Sequence, residues 1–206
     1  MSGRRPRGTP LRGATVVVTG AASGLGRGLA LAAARKGATV VMWDRDGDAL
    51  DAAVAEVDAA RTGPALAPIG RVVDVTDRDG VRRAAEEAID ATGGIDVLVN
   101  NAGVVSGKYL TDLDEADVRR TFEVNTLALY WVTQAFLAHM MERDRGRVVT
   151  LASASGLIGV AKLTDYSASK WAAIGFDESL RVELARRGSN VATTVVCPFY
   201  IDTGMF

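Results

Sequence analysis

Short β-branched runs alternate along this chain with longer segments rich in Ala, Leu, Arg and Glu. Val16-Val17-Val18, Thr39 to Trp43, Ile69 to Val73, Ile95 to Val99, Arg147 to Leu151 and Val191 to Val196 predict six strands apolar enough to be buried on both faces. Between them the pattern predicts helices at 24–36, 47–61, 77–91, 114–142 and 164–187. Strand and helix taking turns in this way call for a parallel sheet covered by helices on both faces, an α/β protein. The punctuation agrees. Gly37, Gly93-Gly94 and Gly188 stand where left-handed helix caps are wanted. Asp77 and Asp114 stand at helix starts, and Asp112, Asp114, Glu115 and Asp117 cluster where the helix dipole welcomes negative charge. These acids are therefore expected to cap helices and not to bind metal.

At 206 residues the chain has room for one well-cored domain, expected over 14–206. Residues 1–13 carry Arg4, Arg5, Arg7 and Arg12 among prolines and glycines, a composition that buries no core and predicts a flexible basic arm. A net charge of −1 gives no bulk attraction to nucleic acid or anionic membrane, so partners must be argued from sites. No apolar run is long enough to span a bilayer, the N-terminus lacks a signal-peptide core, and Cys197 is the single cysteine. The expected location is cytoplasmic. His139 has no second ligand at a useful spacing, which argues against a metal site, and Trp43, Trp131 and Trp171 are expected in core or interface.

After the first strand comes Thr19-Gly20-Ala21-Ala22-Ser23-Gly24-Leu25-Gly26, followed by a helix. A strand turning through glycines into a helix N-terminus brings backbone N–H groups and the positive dipole end together, an arrangement suited to a pyrophosphate. The spacing Gly-xxx-Gly-x-Gly is by itself a weak signal in a chain with 22 glycines. Asp44 strengthens it. Eighteen residues beyond Gly26, it closes the second strand, where a carboxylate can accept from a ribose diol and repel a 2′-phosphate. NAD is therefore favoured over NADP, although Arg45 follows directly and Asp44 has an alternative use as a helix cap. Asp74-Val75 and Asn100-Asn101-Ala102-Gly103 supply further loops at the carboxyl ends of strands, where open parallel sheets bind ligands.

Tyr166 and Lys170 are four residues apart in a predicted helix, which sets a phenol beside an ammonium on one face, with Ser153 thirteen residues upstream of the tyrosine. A phenol of ordinary pKa near 10 is a poor base, but a neighbouring cation favours the phenolate. Such a pair can move a proton to and from an alcohol. Taken alone, a Tyr-xxx-Lys pair is more often surface decoration, and Ser155 competes with Ser153 for the hydroxyl role.

Thr19-Gly20-xxx-Gly24-x-Gly26, Asp74, Asn100-Asn101-Ala102-Gly103, Asn125, Ser153, Tyr166-xxx-Lys170 and the segment from Pro198 to Thr203, in that order, resemble the short-chain dehydrogenase/reductase family over nearly the whole chain from Gly13. Gly156 to Val160 and Cys197 to Phe206 further resemble the branch containing retinol and 17β-hydroxysteroid dehydrogenases. The resemblance implies a Rossmann-like doubly wound sheet of strand order 3-2-1-4-5-6 and hydride transfer between an alcohol carbon and a nicotinamide. It implies Tyr166 as general acid and base, and Lys170 lowering the Tyr166 pKa and bonding the nicotinamide ribose. Ser153 would bind the substrate oxygen, and Asn125 would hold a water that relays protons to Lys170. Gly20, Ser23, Gly24, Leu25, Gly26, Asp44, Arg45, Asp74, Val75, Asn101, Ala102, Gly103, Pro198, Ile201 and Thr203 would line the cofactor.

The family normally continues into a mobile substrate loop and a seventh strand, whereas this sequence stops at Phe206. A truncated form is the expectation. By family position the remaining substrate wall is Val104, Val105, Ala154, Leu157, Ile158, Gly159, Leu163 and Phe199, which implies a hydrophobic secondary alcohol or ketone. The helices at 114–142 and 164–187 would pair with symmetry mates in a homodimer or homotetramer. Two other functions stay open at this point: an idle nucleotide-binding scaffold, and an epimerase-type isomerase that also uses Tyr-xxx-Lys.

Overall fold

A computed structural model describes residues 9–201. Its sheet has six parallel strands: β1 (Thr15–Thr19), β2 (Thr39–Asp44), β3 (Ile69–Val72), β4 (Val97–Asn100), β5 (Arg147–Leu151) and β6 (Ala192–Val196). They lie in the order β3-β2-β1-β4-β5-β6, as expected, and β1 pairs in register with β2 and with β4. The chain therefore leaves β1 toward one edge and returns to build the other half from β4. Ligands of such sheets bind where the loops diverge, beyond the carboxyl ends of β1 and β4.

Alternation along β1 splits the core in two. Val17 joins Val41, Trp43, Leu98, Phe136 and Leu180 on one face, and Val16 and Val18 join Val40, Met42, Leu50 and Val57 on the other. The second face is covered by α1 (Gly24–Arg35) and α2 (Gly47–Ala60), and the first by α3 (Arg78–Thr92), α5 (Ala128–Glu142) and α6 (Thr164–Arg186). Trp43 is wholly buried with its ring 5.4 Å from that of Phe136, the core placement anticipated for it.

Three expectations need correction. Burial on both faces holds for β1, β2 and β4, but Gly70, Arg71 and Val72 of β3 and Val195 and Val196 of β6 are exposed. These are the two edge strands of the described sheet, and an apolar sequence does not say which strands have a neighbour on only one side. The helix expected at 114–142 is not uniform: α4 (Glu115–Phe122) passes into a π-helical turn at Glu123–Leu127 before α5 begins. Asp77 occupies the N-cap of α3 without making a side-chain cap bond, whereas Asp114 accepts from the Asp117 N–H at 2.8 Å and Asp117 reciprocates.

Candidate active site

Gly20, with φ +64°, ends β1 and starts the turn into α1. No other residue fits two of the loop's positions. A Cβ on Gly26 would lie 2.0 Å from the Gly20 carbonyl oxygen, and one on Gly20 would lie 2.9 Å from Cα of Ala102. This close packing seats the start of α1 directly on the strand ends. Ser23 is the N-cap of α1 but forms no side-chain cap bond, and no acid lies in the first turn. The helix thus offers its first backbone donors and its positive end to the cleft without a competing anion.

Two side chains brace the loop. Asp44 accepts from the Ala22 N–H at 3.0 Å and from the Asp46 N–H at 3.1 Å, joining the end of β2 to the glycine turn. Its alternative use as a helix cap falls away, because Asp46 caps α2 through the Ala49 N–H. From the other side the Asn101 amide donates to the carbonyls of Thr19 and Gly20, while the Thr19 hydroxyl accepts the N–H groups of Asn101 and Ala102. The sequence marks Thr19 only as the head of the glycine motif, with no role of its own. Asn101 lines the cleft as expected, but its side chain binds the loop after β4 to the loop after β1.

The two loops open onto a cleft of about 330 Å³. One end is lined by Asp44, Arg45, Asp74, Val75 and Arg120, the middle by Gly20, Ser23, Gly24 and Leu25, and the other end by Gly103, Ser153, Tyr166, Lys170, Pro198 and Ile201. Asn101 and Ala102 also line it, so the predicted cofactor residues come together, with Gly26 beneath the floor. Thr203 lies outside the described residues. Arg120 is an addition: on α4, 4.0 Å from Asp74, it has no motif around it that sequence could have flagged. Burial raises the Asp74 pKa, but bonds from the Thr76 N–H and hydroxyl, with Arg120 and Arg45 nearby, outweigh it and hold the carboxyl below its usual range.

Tyr166 and Lys170 sit on the first turns of α6, and both are buried. Ser153 lies just past β5; its Oγ accepts from the Ser155 N–H at 3.1 Å and its side chain hydrogen-bonds Tyr166. Of the two competing serines it is therefore Ser153 that meets the tyrosine. Burial pushes the phenol pKa up, with the Ser153 bond pulling the other way. Lys170 is pushed down to about 8 by burial. Its ammonium donates to the Leu151 carbonyl at 2.8 Å and lies 5.6 Å from the centre of the Tyr166 ring. The tyrosine's shift is thus upward and set by burial, opposite to the lowering expected from the lysine.

Asn125 falls in the π-helical turn and is only 1% exposed, so the solvent-facing alternative for a mid-helix asparagine is excluded. Its Oδ1 accepts from the Val104 N–H at 2.8 Å, and its Nδ2 donates to the Val104 carbonyl at 2.9 Å and to the Ser169 hydroxyl at 3.0 Å. A π-turn widens the helix by one residue, a local feature common at functional sites. Here it coincides with an asparagine clasping the loop that walls the cleft. Of the expected substrate wall, Val104 and Phe199 line the cleft, Phe199 being 77% exposed; Leu157 and Ile158 are exposed and Leu163 is buried, and none of these three lines it. Among the described residues no group of His, Cys, Asp or Glu could hold a metal ion, and no helix is long and apolar enough to cross a membrane.

A cleft at the sheet's switch point, with Ser153 beside the buried Tyr166 and Lys170 at one end, agrees with the comparison to known families. The short chain dehydrogenase family model matches residues 14–206, and the chain belongs to that family. Retinol dehydrogenase 10-B of Danio rerio is 42% identical over 219 residues, covering 98% of this chain and 65% of the relative. Epidermal retinol dehydrogenase 2 of Mus musculus is also 42% identical, over 195 residues, covering 94% of this chain and 62% of the relative. The chain thus spans somewhat less than two thirds of the length of these relatives. Among solved structures, a short chain dehydrogenase/reductase from Burkholderia phymatum in complex with NAD superposes with a TM-score of 0.90 at 32% identity, covering 96% of this chain and 69% of that one.

Proposed function

We propose that this chain carries the catalytic centre of an NAD-dependent oxidoreductase that interconverts a hydrophobic secondary alcohol and its ketone. The observation that carries the reading is the meeting of Ser153, Tyr166 and Lys170 at one end of a cleft whose middle is a glycine turn with an uncapped helix N-terminus. The residues fit the dinucleotide: Gly20 and Gly26 leave no room for a Cβ, and the start of α1 presents free donors where a pyrophosphate needs them. The Burkholderia phymatum relative holds NAD, and the curated relatives are named retinol dehydrogenases.

When bound, NAD supplies the hydride acceptor and, once reduced, the hydride donor. The glycine turn and α1 would hold its phosphates, Asp44 a ribose diol, and Tyr166 and Lys170 the nicotinamide end. Tyr166 takes the hydroxyl proton in oxidation and returns it in reduction. Ser153 donates to the substrate oxygen and stabilises the charge that develops there. Lys170 keeps a positive charge beside the phenol at neutral pH, since its pKa of about 8 leaves the ammonium the major form. The apolar side chains of Val104, Phe199 and Ile201 in the cleft lining support a hydrophobic substrate. Exposed Leu127, Tyr130 and Trp171 on α5, α6 and the turn before α5 support self-association through these helices. A cytoplasmic location belongs to the same proposal, supported by the single cysteine.

The test is NADH formation with a panel of apolar secondary alcohols, polyols and sugars, run on the protein and on Tyr166→Phe. Loss of a positioned acid/base is expected to slow turnover by about 10²–10⁴-fold. Equal rates in both proteins would reject the role of Tyr166, and turnover confined to polyols or sugars would reject the substrate class. NADP binding more tightly than NAD would reverse the cofactor preference.

A further inference from the structure

The first turn of α6 carries Tyr166 yet lacks the usual local support. Leu163 is its N-cap and makes no side-chain cap bond, and Lys162 just before it is forced into left-handed backbone, φ +65°. What holds this turn is Asp165, 4% exposed, whose carboxylate reaches away from its own helix. Ser106, in the loop after β4, donates to both carboxylate oxygens at 2.9 and 2.8 Å, and Thr121 of α4 donates to Oδ2 at 2.7 Å. On the far side of the tyrosine, the Ser169 hydroxyl donates to the Tyr166 carbonyl at 2.7 Å and accepts from the Asn125 amide, which clasps Val104. The path from Ser106 through Asp165, Tyr166, Ser169 and Asn125 to Val104 closes on itself, because Val104 and Ser106 belong to one short loop.

We propose that Asp165 and Ser106 are positioning residues that fix Tyr166 relative to the wall of the cleft, so that the acid/base and the 104–106 loop move as one unit. Neither side chain touches the reacting atoms; each acts through the backbone of Tyr166 or of the wall. The proposal rests on the role given to Tyr166 above. A hydroxyl at position 106 is the requirement, since both of its bonds end on the carboxylate, and the carboxylate is the requirement at 165, since it accepts from two elements at once. Misplacing a reacting group by about 1 Å costs on the order of 100-fold in rate, so loss of one anchor is expected to lower kcat by roughly 10- to 100-fold. The glycine turn, which would hold the phosphates, makes none of these bonds, so KM for NAD changes much less than kcat.

Ser106→Ala, Ser106→Thr and Asp165→Asn are the variants, compared by kcat and KM with the best alcohol of the panel and, without cofactor, by the ultraviolet titration of Tyr166 taken as the difference from Tyr166→Phe. Expected are a lower kcat with a much smaller change in KM for NAD and a displaced tyrosine titration in Ser106→Ala and Asp165→Asn, with kcat and titration restored in Ser106→Thr. Thermal melts accompany each variant. A lower melting point with the titration and kcat unmoved would make the pair merely structural and overturn the proposal, as would an Ala variant equal to wild type or a Thr variant as impaired as Ala. Should wild type and Tyr166→Phe turn over equally, the function itself fails; should they differ while the Ser106 and Asp165 variants match wild type, the clamp alone fails.

Discussion

Lys170 illustrates how far a single residue's behaviour is set by where it is buried. In sequence it is a lysine one helical turn beyond a tyrosine, and the expected consequence was a lowered phenol pKa. In the fold its side chain is buried and its ammonium bonded to the Leu151 carbonyl, and desolvation brings it down to about 8. The sign of the stability effect follows. Between about pH 8 and the unfolded lysine value of 10.5, the unfolded chain binds more protons than the folded one, so stability rises with pH through that window. Replacing Lys170 by Met removes the titrating group. Chemical denaturation near pH 7 and near pH 10 is expected to reveal a lysine-dependent gain at the higher pH in wild type that is missing in Lys170→Met; an identical pH response in both proteins would refute the assignment. Tyr166 tells a complementary story, since its pKa is raised by burial against the pull of Ser153. Its motif gave the partner residues but not the balance of desolvation and hydrogen bonding.

At the scale of elements, α6 joins two jobs that its sequence does not separate. Its first turns hold Tyr166 and Lys170, and further along Asp177 is buried against the sheet, accepting from the hydroxyls of Thr150 on β5 and Thr193 on β6 at 3.0 Å each. Burial raises the Asp177 pKa above 3.8, and the two threonine bonds only partly oppose it. The folded state therefore holds this proton longer than the unfolded state, and stability falls as pH rises through the folded value. Asn at 177 can accept from one threonine and donate to the other without burying a charge. Asp177→Asn is expected to melt at or above the wild-type temperature at neutral pH and to lose that advantage near pH 4; a larger loss at neutral than at acid pH would count against this account. Strands and helices were legible because β-branched runs and Ala/Leu/Arg/Glu segments have different periods. The π-turn at Glu123–Leu127 was not, since nothing in Phe122-Glu123-Val124-Asn125-Thr126 distinguishes a widened helix from a regular one; its companion is a tertiary bond from Asn125 to Val104.

Across the whole molecule the sheet order puts the divergence of the chain between β1 and β4, and that choice assembles a cleft from loops more than 140 residues apart, from Gly20 to Lys170. The outer faces of the helices near Tyr166 and Lys170 carry apolar side chains: Trp171 is 55% exposed beside Lys170, and Tyr130 packs edge-on against Phe176 with ring centres 4.9 Å apart. If these faces meet a second copy, Trp171→Glu places a charge in the contact. Light scattering is then expected to give a multiple of the monomer mass for wild type and the monomer mass for the variant, and a wild type that is monomeric at all concentrations would dismiss the association.

The sequence alone determined the alternation of strands and helices, the glycine turn, and the one-turn spacing of Tyr166 and Lys170, because each depends on spacing within a few residues; that Ser153 and not Ser155 meets the tyrosine came from the fold. The fold decided what depends on partners distant in sequence. It made β3 and β6 the edges of the described sheet, turned Asn101 and Asn125 into clasps of neighbouring loops, and brought Arg120 to Asp74 and Asp165 to Ser106. A hydrogen bond between residues 59 positions apart leaves no periodicity behind, and the cost of burying a charge exists only once a core surrounds it.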